Sequence, residues 1–221
     1  MTELNVWQHV DDYFMNKLLP ENEHLNAVLQ ANKAAGIPEI DVSPTQGKLL
    51  YLLAKMKGAA NILEIGTLGG YSSICLAQAL PPEGKIVTLE INEEYASVAK
   101  QNIENAGYEQ QVEVIVGNAL DTLPNLKKAE LLFDFIFIDA DKPYNPAYLQ
   151  WALKLAHPGA IIIADNVVRN GAVTDENSED ERVRGVQKFM DLLKECPRIE
   201  ATAIQTVGVK GYDGFVLARV N

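Results

Sequence analysis

From residue 60 onward the chain alternates short apolar runs with longer amphipathic stretches. The runs read "NILEIG", "KIVTLEI", "VEVIVG", "FDFIFIDA" and "AIIIADN". Successive side chains of a strand point to opposite faces, so a continuous apolar run needs cover on both sides. A parallel sheet sandwiched between helices meets that need, and the intervening stretches serve as its crossovers. The pattern predicts an α/β fold built on a doubly wound, mostly parallel sheet. The last two runs, "IEATAIQTVG" and "GYDGFVLARV", are joined without a helix, with glycines and Asp213-Gly214 read as the connection. Strands joined so directly pair antiparallel, which predicts a hairpin at the sheet edge.

The first 57 residues read as helical. "VWQHVDDYFMNKLL" places Val6, Val10, Tyr13, Phe14 and Leu18 near one face. "NEHLNAVLQANKAAG" closes on Gly36, and "SPTQGKLLYLLAKMKG" starts with Ser43 as N-cap and Pro44 in the first turn, then ends at Gly58. No boundary separates these helices from the rest, so residues 1–57 are expected as an accessory layer on a Rossmann-like core of residues 58–221 within one domain. Trp7, Tyr13 and Phe14 are expected to pack against the core or a dimer partner rather than to line a pocket.

Bulk properties narrow the function classes. Nineteen basic against thirty acidic residues give a net charge of −11, which repels polyphosphate at long range. Cys75 and Cys196 are the only cysteines, too few for a disulfide framework or a cysteine metal cluster, so a reducing cytoplasm is expected. No apolar run approaches the length of a membrane span, and the N-terminus lacks the pattern of a signal peptide. His9, His24 and His157 are read as helical or helix-end residues away from the strand tips.

Chemistry concentrates where the strands end, since ligands of open α/β sheets bind beyond the carboxyl ends of the strands. After the first run, "LEIGTLGGYSS" supplies Gly66, Gly69 and Gly70 for a tight turn into a helix. It lacks the glycine spacing of a dinucleotide fingerprint, which disfavours a nicotinamide oxidoreductase, and it carries an acid, Glu64. A carboxylate there suits a ligand with a cationic amino acid moiety, and Ser72 is expected to hold that ligand's own carboxylate. Glu90 ends the next run, where an acid in this architecture bonds ribose hydroxyls. An adenosine with an amino acid tail satisfies both acids, and S-adenosylmethionine is such a molecule. Gly117, Asn118 and Ala119 are expected to border its adenine.

The fourth and fifth runs end in Asp139, Asp141 and Lys142, and in Asp165 and Asn166. Two carboxylates and an amide carbonyl make a hard, all-oxygen set that favours Mg²⁺, Mn²⁺ or Ca²⁺ over zinc. Lys142 is placed to act as a base or to pair with an anionic oxygen. Asp141 is left open between a supporting contact, a helix cap and a solvent-exposed residue.

"LEIGTLGGYS", "FDFIFIDADK" and "DNVV", in this order, resemble the cation-dependent O-methyltransferases of the catechol and caffeoyl-coenzyme A type. The likeness is greatest to small bacterial members with "DVSPTQGK" and "GYDGF" segments and covers nearly the whole chain. It implies a seven-stranded sheet of class I methyltransferase type and a divalent cation, Mg²⁺ first, on Asp139, Asp165 and Asn166. It implies Lys142 as catalytic base and S-adenosylmethionine contacts from Val42, Glu64, Gly66, Ser72, Glu90, Ala119 and Asp139. The implied acceptor is a vicinal dihydroxy-aromatic small molecule such as a phenylpropanoid or flavonoid, and the implied assembly a homodimer. The plant enzymes carry a tryptophan after the Asp-Asn pair where this chain has Arg169 and Asn170, so a coenzyme A-sized ester does not carry over. A bacterial branch that methylates hydroxylated uridine in tRNA is the alternative. Arg182 and Arg184 keep it open, although pairing with the neighbouring "EDE" acids accounts for them more simply.

Overall fold

Seven strands form one sheet in the order β3-β2-β1-β4-β5-β7-β6. A computed structural model describes residues 2–221. The strands are β1 (Asn61–Ile65), β2 (Lys85–Glu90), β3 (Val112–Val116), β4 (Phe133–Ile138), β5 (Ala156–Asp165), β6 (Ile199–Gly208) and β7 (Gly211–Val220). The first five run parallel, and β7 pairs antiparallel with both β5 and β6. Helices α4 (Tyr71–Ala77), α5 (Glu93–Asn105), α6 (Ala119–Lys128) and α7 (Asn145–Leu155) connect the parallel strands, and α8 (Glu181–Glu195) leads into the hairpin. The expected doubly wound sheet of methyltransferase type and its antiparallel edge are what the chain forms.

Neighbouring strand residues divide between the two faces. Leu63, Ile65, Ile136 and Ile138 join the core under α6, α7 and α8. Ile62, Ile86, Phe135 and Phe137 join the other, under α3 (Pro44–Lys57), α4 and α5. Every one of these side chains is fully buried, which is why the runs are apolar without alternation.

Helices α1 (Glu3–Leu18) and α2 (Glu23–Ala34) complete the accessory layer. Caps stop the elements where the sequence signals. Asn22 and Ser43 each accept a backbone N–H three residues on, Pro44 opens α3, and Gly58 closes it at φ 67°. Of the two covers expected for the aromatic residues of α1, the core is not the one used. That helix lies across β6 and touches α3, so Val6, Val10, Tyr13, Phe14 and Leu18 remain exposed instead of packing on the core.

Two local readings are corrected. The hairpin turns at Val209 and Lys210, not at Asp213-Gly214, because Gly208 pairs with Gly211 and the Asp-Gly pair sits inside β7. His157 belongs to β5, which pairs Ala156 with Phe133, shifts register past Gly159 (φ 79°), and resumes at Ile161. No helix among the described residues is long and apolar enough to cross a membrane.

Candidate active site

The chain steps outward from β1 to β2 and β3 and then returns to place β4 on the other side of β1, and such a switch point opens a crevice at the strand tips. A cavity of about 840 Å³ occupies it, lined from the α2–α3 loop and from the tips of all five parallel strands. Val42, Gly66, Ser72, Glu90, Ala119, Asp139, Lys142, Asp165 and Asn166 all line this one space. Glu64 does not.

On the glycine-turn side, the backbone approaches as closely as glycine permits. A Cβ on Gly66 would lie 2.2 Å from the Asp139 carbonyl oxygen, and its φ of 104° suits no other residue. Glu90 accepts the Leu68 N–H at 2.8 Å and the Asn92 N–H at 2.9 Å through different oxygens. Each oxygen keeps a lone pair, which leaves the carboxylate able to accept from the hydroxyls of a ribose.

Glu64 departs from the expected direct contact with a ligand. It is fully buried and accepts hydroxyl protons from Ser72 and Thr88, both at 2.6 Å, and from Ser73. Burial pushes its carboxyl up to about 7, against the lowering effect of those three hydroxyls. Ser72 donates its proton inward to Glu64, so toward the cavity it is an acceptor. It suits a ligand's ammonium better than the carboxylate expected from sequence.

On the strand β4 and β5 side, Lys142 Nζ lies 2.9 Å from Asp139 Oδ1, and both side chains are largely buried. Asp165 accepts the Asn166 N–H at 2.8 Å and the Gln46 side-chain amide at 2.6 Å. Burial first, and the Asp139 charge second, push the Asp165 carboxyl up to about 7. Among the described residues no three His, Cys, Asp or Glu side chains are grouped as a metal site; the donor set counts two carboxylates and the Asn166 amide. The chemistry of that set fits a divalent cation. Asp165, which resists ionising beside the Asp139 charge, is relieved by a double positive charge, and hard oxygens are what Mg²⁺ accepts.

Several site residues escaped the sequence reading. Gln46 is positioned on Asp165 by α3, 119 residues away in the chain. Asp141 is exposed at the start of the 3-10 turn, where its side chain caps no N–H and instead accepts from the Tyr148 hydroxyl at 2.6 Å. Asn32 donates to Asp41 at 3.0 Å and accepts from Asn102, which also donates to the Gly69 carbonyl at 2.9 Å. This buried chain ties α2 and the loop after it to the glycine turn. Arg182 pairs with Asp180 at 2.8 Å as expected, whereas Arg184 donates to the Ser178 carbonyl and not to an acid.

The arrangement of strand tips, glycine turn and oxygen donors has close counterparts among known proteins. A family model described as O-methyltransferase matches residues 16–220. The chain belongs to the O-methyltransferase family. Enzymes of this family draw the methyl group from S-adenosylmethionine. A catechol O-methyltransferase of Niastella koreensis is 48% identical over 97% of this chain and 98% of its own length. An O-methyltransferase of Bacillus cereus, solved with S-adenosylhomocysteine, superposes with a TM-score of 0.98 at 54% identity over 99% of this chain and all of that one. One from Streptomyces achromogenes, involved in tomaymycin synthesis and solved with S-adenosylmethionine, gives a TM-score of 0.97 at 49% identity, with full coverage of both chains. This O-methyltransferase therefore shares its fold and nearly its whole length with cofactor-bound relatives.

Proposed function

We propose that this O-methyltransferase moves the methyl group of S-adenosylmethionine to one hydroxyl of a vicinal dihydroxy-aromatic small molecule, of phenylpropanoid or flavonoid kind, with a divalent cation held by Asp139, Asp165 and Asn166. The observation that carries the reading is the meeting of Asp139, Lys142, Asp165 and Asn166 at the wall of one cavity that also holds the glycine turn and Glu90. The catechol O-methyltransferase relative supports the acceptor class, and the cofactor in the Bacillus cereus structure supports the donor.

When bound, the cation supplies Lewis-acid charge that favours ionisation of a catechol hydroxyl, and the donor supplies an electrophilic methyl on sulfonium sulfur. The chain's own residues do the rest. Glu90 accepts from the ribose hydroxyls, and Gly66 admits the cofactor close to the backbone. Lys142, positioned by Asp139 Oδ1 at 2.9 Å, takes the phenolic proton on Nζ in its neutral amine form, after giving its own proton to solvent. Tyr144 and Tyr148, with ring centroids 6.4 Å apart, form the part of the wall that suits an aromatic acceptor. With a single displacement as the chemistry, most of the acceleration comes from orientation and charge neutralisation. We further propose a homodimer that covers the exposed faces of α1 and β6.

The deciding experiment combines turnover of a catechol panel with metal removal. Activity is expected to vanish in excess EDTA and return with Mg²⁺, and Asp165→Ala is expected to abolish it at any Mg²⁺ concentration tested. Full turnover in EDTA rules out the cation.

A further inference from the structure

Arg169 stands three residues beyond Asn166 on the cavity wall and has an unusual set of partners. Its Nε is buried with no hydrogen-bond partner among the described residues. Its nearest carboxylate, Asp213, lies 3.9 Å from Nη1, beyond hydrogen-bond reach. It is Oδ2 that stands at this distance, while Asp213 Oδ1 accepts the backbone N–H groups of Val168, Arg169 and Gly214 at 2.9, 3.1 and 3.0 Å. Arg169 and Asn170, at and just after those bonds, have φ of 55° and 54°. The left-handed region is uncommon for residues with a side chain, and such strain clusters where a protein must place a group for a ligand.

The other cations on the wall are engaged. Lys142 pairs with Asp139, and Arg182 is bound to Asp180 through both Nε and Nη2. Lys210 donates to the carbonyl of Glu39 on the opposite rim. Among the described residues Arg169 is thus the one guanidinium on this wall without a carboxylate in hydrogen-bonding contact. The Arg169 side chain keeps 24% of its surface exposed, and a guanidinium at a cavity wall with no carboxylate in contact gains free energy when a ligand supplies one.

We propose that Arg169 recognises a carboxylate on the acceptor, so that the preferred substrate is a catechol bearing an anionic ring substituent or short acidic side chain. This rests on the catechol reading above and narrows it. A planar guanidinium offers a carboxylate two parallel N–H donors, and such charge-assisted bonds are about twice as strong as neutral ones. The acceptor would then be held at two ends, by its vicinal oxygens near Asp139 and Asp165 and by its carboxylate on Arg169. That fixes which of the two hydroxyls faces the methyl donor.

The test compares 3,4-dihydroxybenzoate with its methyl ester, and caffeate with methyl caffeate, in the wild type, Arg169→Gln and Arg169→Lys. The readouts are kcat/KM and, by calorimetry, acceptor affinity. The wild type is expected to favour the acid in at least one pair by on the order of 10–100-fold. Arg169→Gln is expected to remove most of that ratio, through KM more than kcat, and Arg169→Lys to keep part of it. Because the acid and its ester also differ in ring electronics, the change of ratio on mutation is the decisive quantity. Equal use of acid and ester by the wild type, or a ratio untouched by Arg169→Gln, overturns the inference while leaving the catechol reading standing. Methylation of none of the four compounds overturns both.

Discussion

At the scale of single residues, the site depends on charges held against burial. Lys142 is the group whose removal separates chemistry from binding. Lys142→Ala is expected to lower kcat on the order of ~10²–10⁴-fold, the usual cost of losing a general base. Cofactor affinity should change little, since Glu90 and the glycine turn do not touch Lys142. Raising the pH should restore part of the rate as the catechol ionises unaided. Wild-type turnover in this variant at neutral pH, with methyl transfer rate-limiting, reduces Lys142 to a charge partner of Asp139. Glu64 gives a stability signature instead. Its folded-state carboxyl is raised from the ordinary 4.5 to about 7, so the folded form binds its proton more tightly than the unfolded chain does. The associated stability is complete below pH 4.5 and is lost as pH rises through about 7. The loss amounts to about 3 kcal/mol at most. Glu64→Gln should remove its share of the slope in denaturation curves measured between pH 4 and 8 without ligands, leaving the share that the raised Asp165 carboxyl contributes in the same window, and an unchanged slope assigns it to groups other than Glu64. The Glu64 behaviour is not legible from "LEIG" alone. The sequence marks Glu64 as an acid in a glycine turn, and only the hydroxyls around it turn it from a ligand contact into a buried anchor.

At the scale of elements, close backbone approaches position the catalytic lysine. Helix α8 packs on the short 3-10 turn Lys142–Tyr144 through Gly185. A Cβ at Gly185 would stand 2.2 Å from the Lys142 carbonyl oxygen and 2.6 Å from Pro143 Cα. Neither atom belongs to a flexible side chain that can turn away. Gly185→Ala should therefore displace the turn, cost about 1–3 kcal/mol as overpacking does, and reduce kcat more than cofactor affinity. A variant that keeps wild-type kcat and melting temperature shows that α8 slides without consequence for Lys142. The edge hairpin acts in a similar way on the acceptor side. Gly214 has the Ile204 carbonyl oxygen 2.3 Å from the place of a Cβ, and its carbonyl accepts the Val167 N–H at 2.9 Å. The "GYDGF" segment, read from sequence as a turn, is thus a strand that clamps the loop carrying Arg169.

At the scale of the whole molecule, one apolar surface is left over. Val6, Val10, Tyr13, Phe14 and Leu18 of α1 and Ile204 and Val207 of β6 are all exposed, and α1 lies against β6. Clustered apolar exposure of this kind marks an interaction surface. The proposed homodimer predicts a solution mass by light scattering of twice the 24.3 kDa chain. Val207→Asp combined with Phe14→Asp should shift the protein to monomer, and a wild-type monomer at tens of micromolar removes the proposal. The sequence by itself determined the sheet, its antiparallel edge, and the set of polar residues at the strand tips. Those signals are local: apolar runs broken by an acid, glycines at a turn, and a hairpin without a helix. The tertiary structure alone decided how the tips are used. Thr88 reaches Glu64 across 24 residues, Asp213 reaches Arg169 across 44, and Gln46 reaches Asp165 across 119. Such pairs follow from strand order and from the helices laid over it, and no periodicity along the chain records which distant side chains the folded sheet will bring within hydrogen-bond distance.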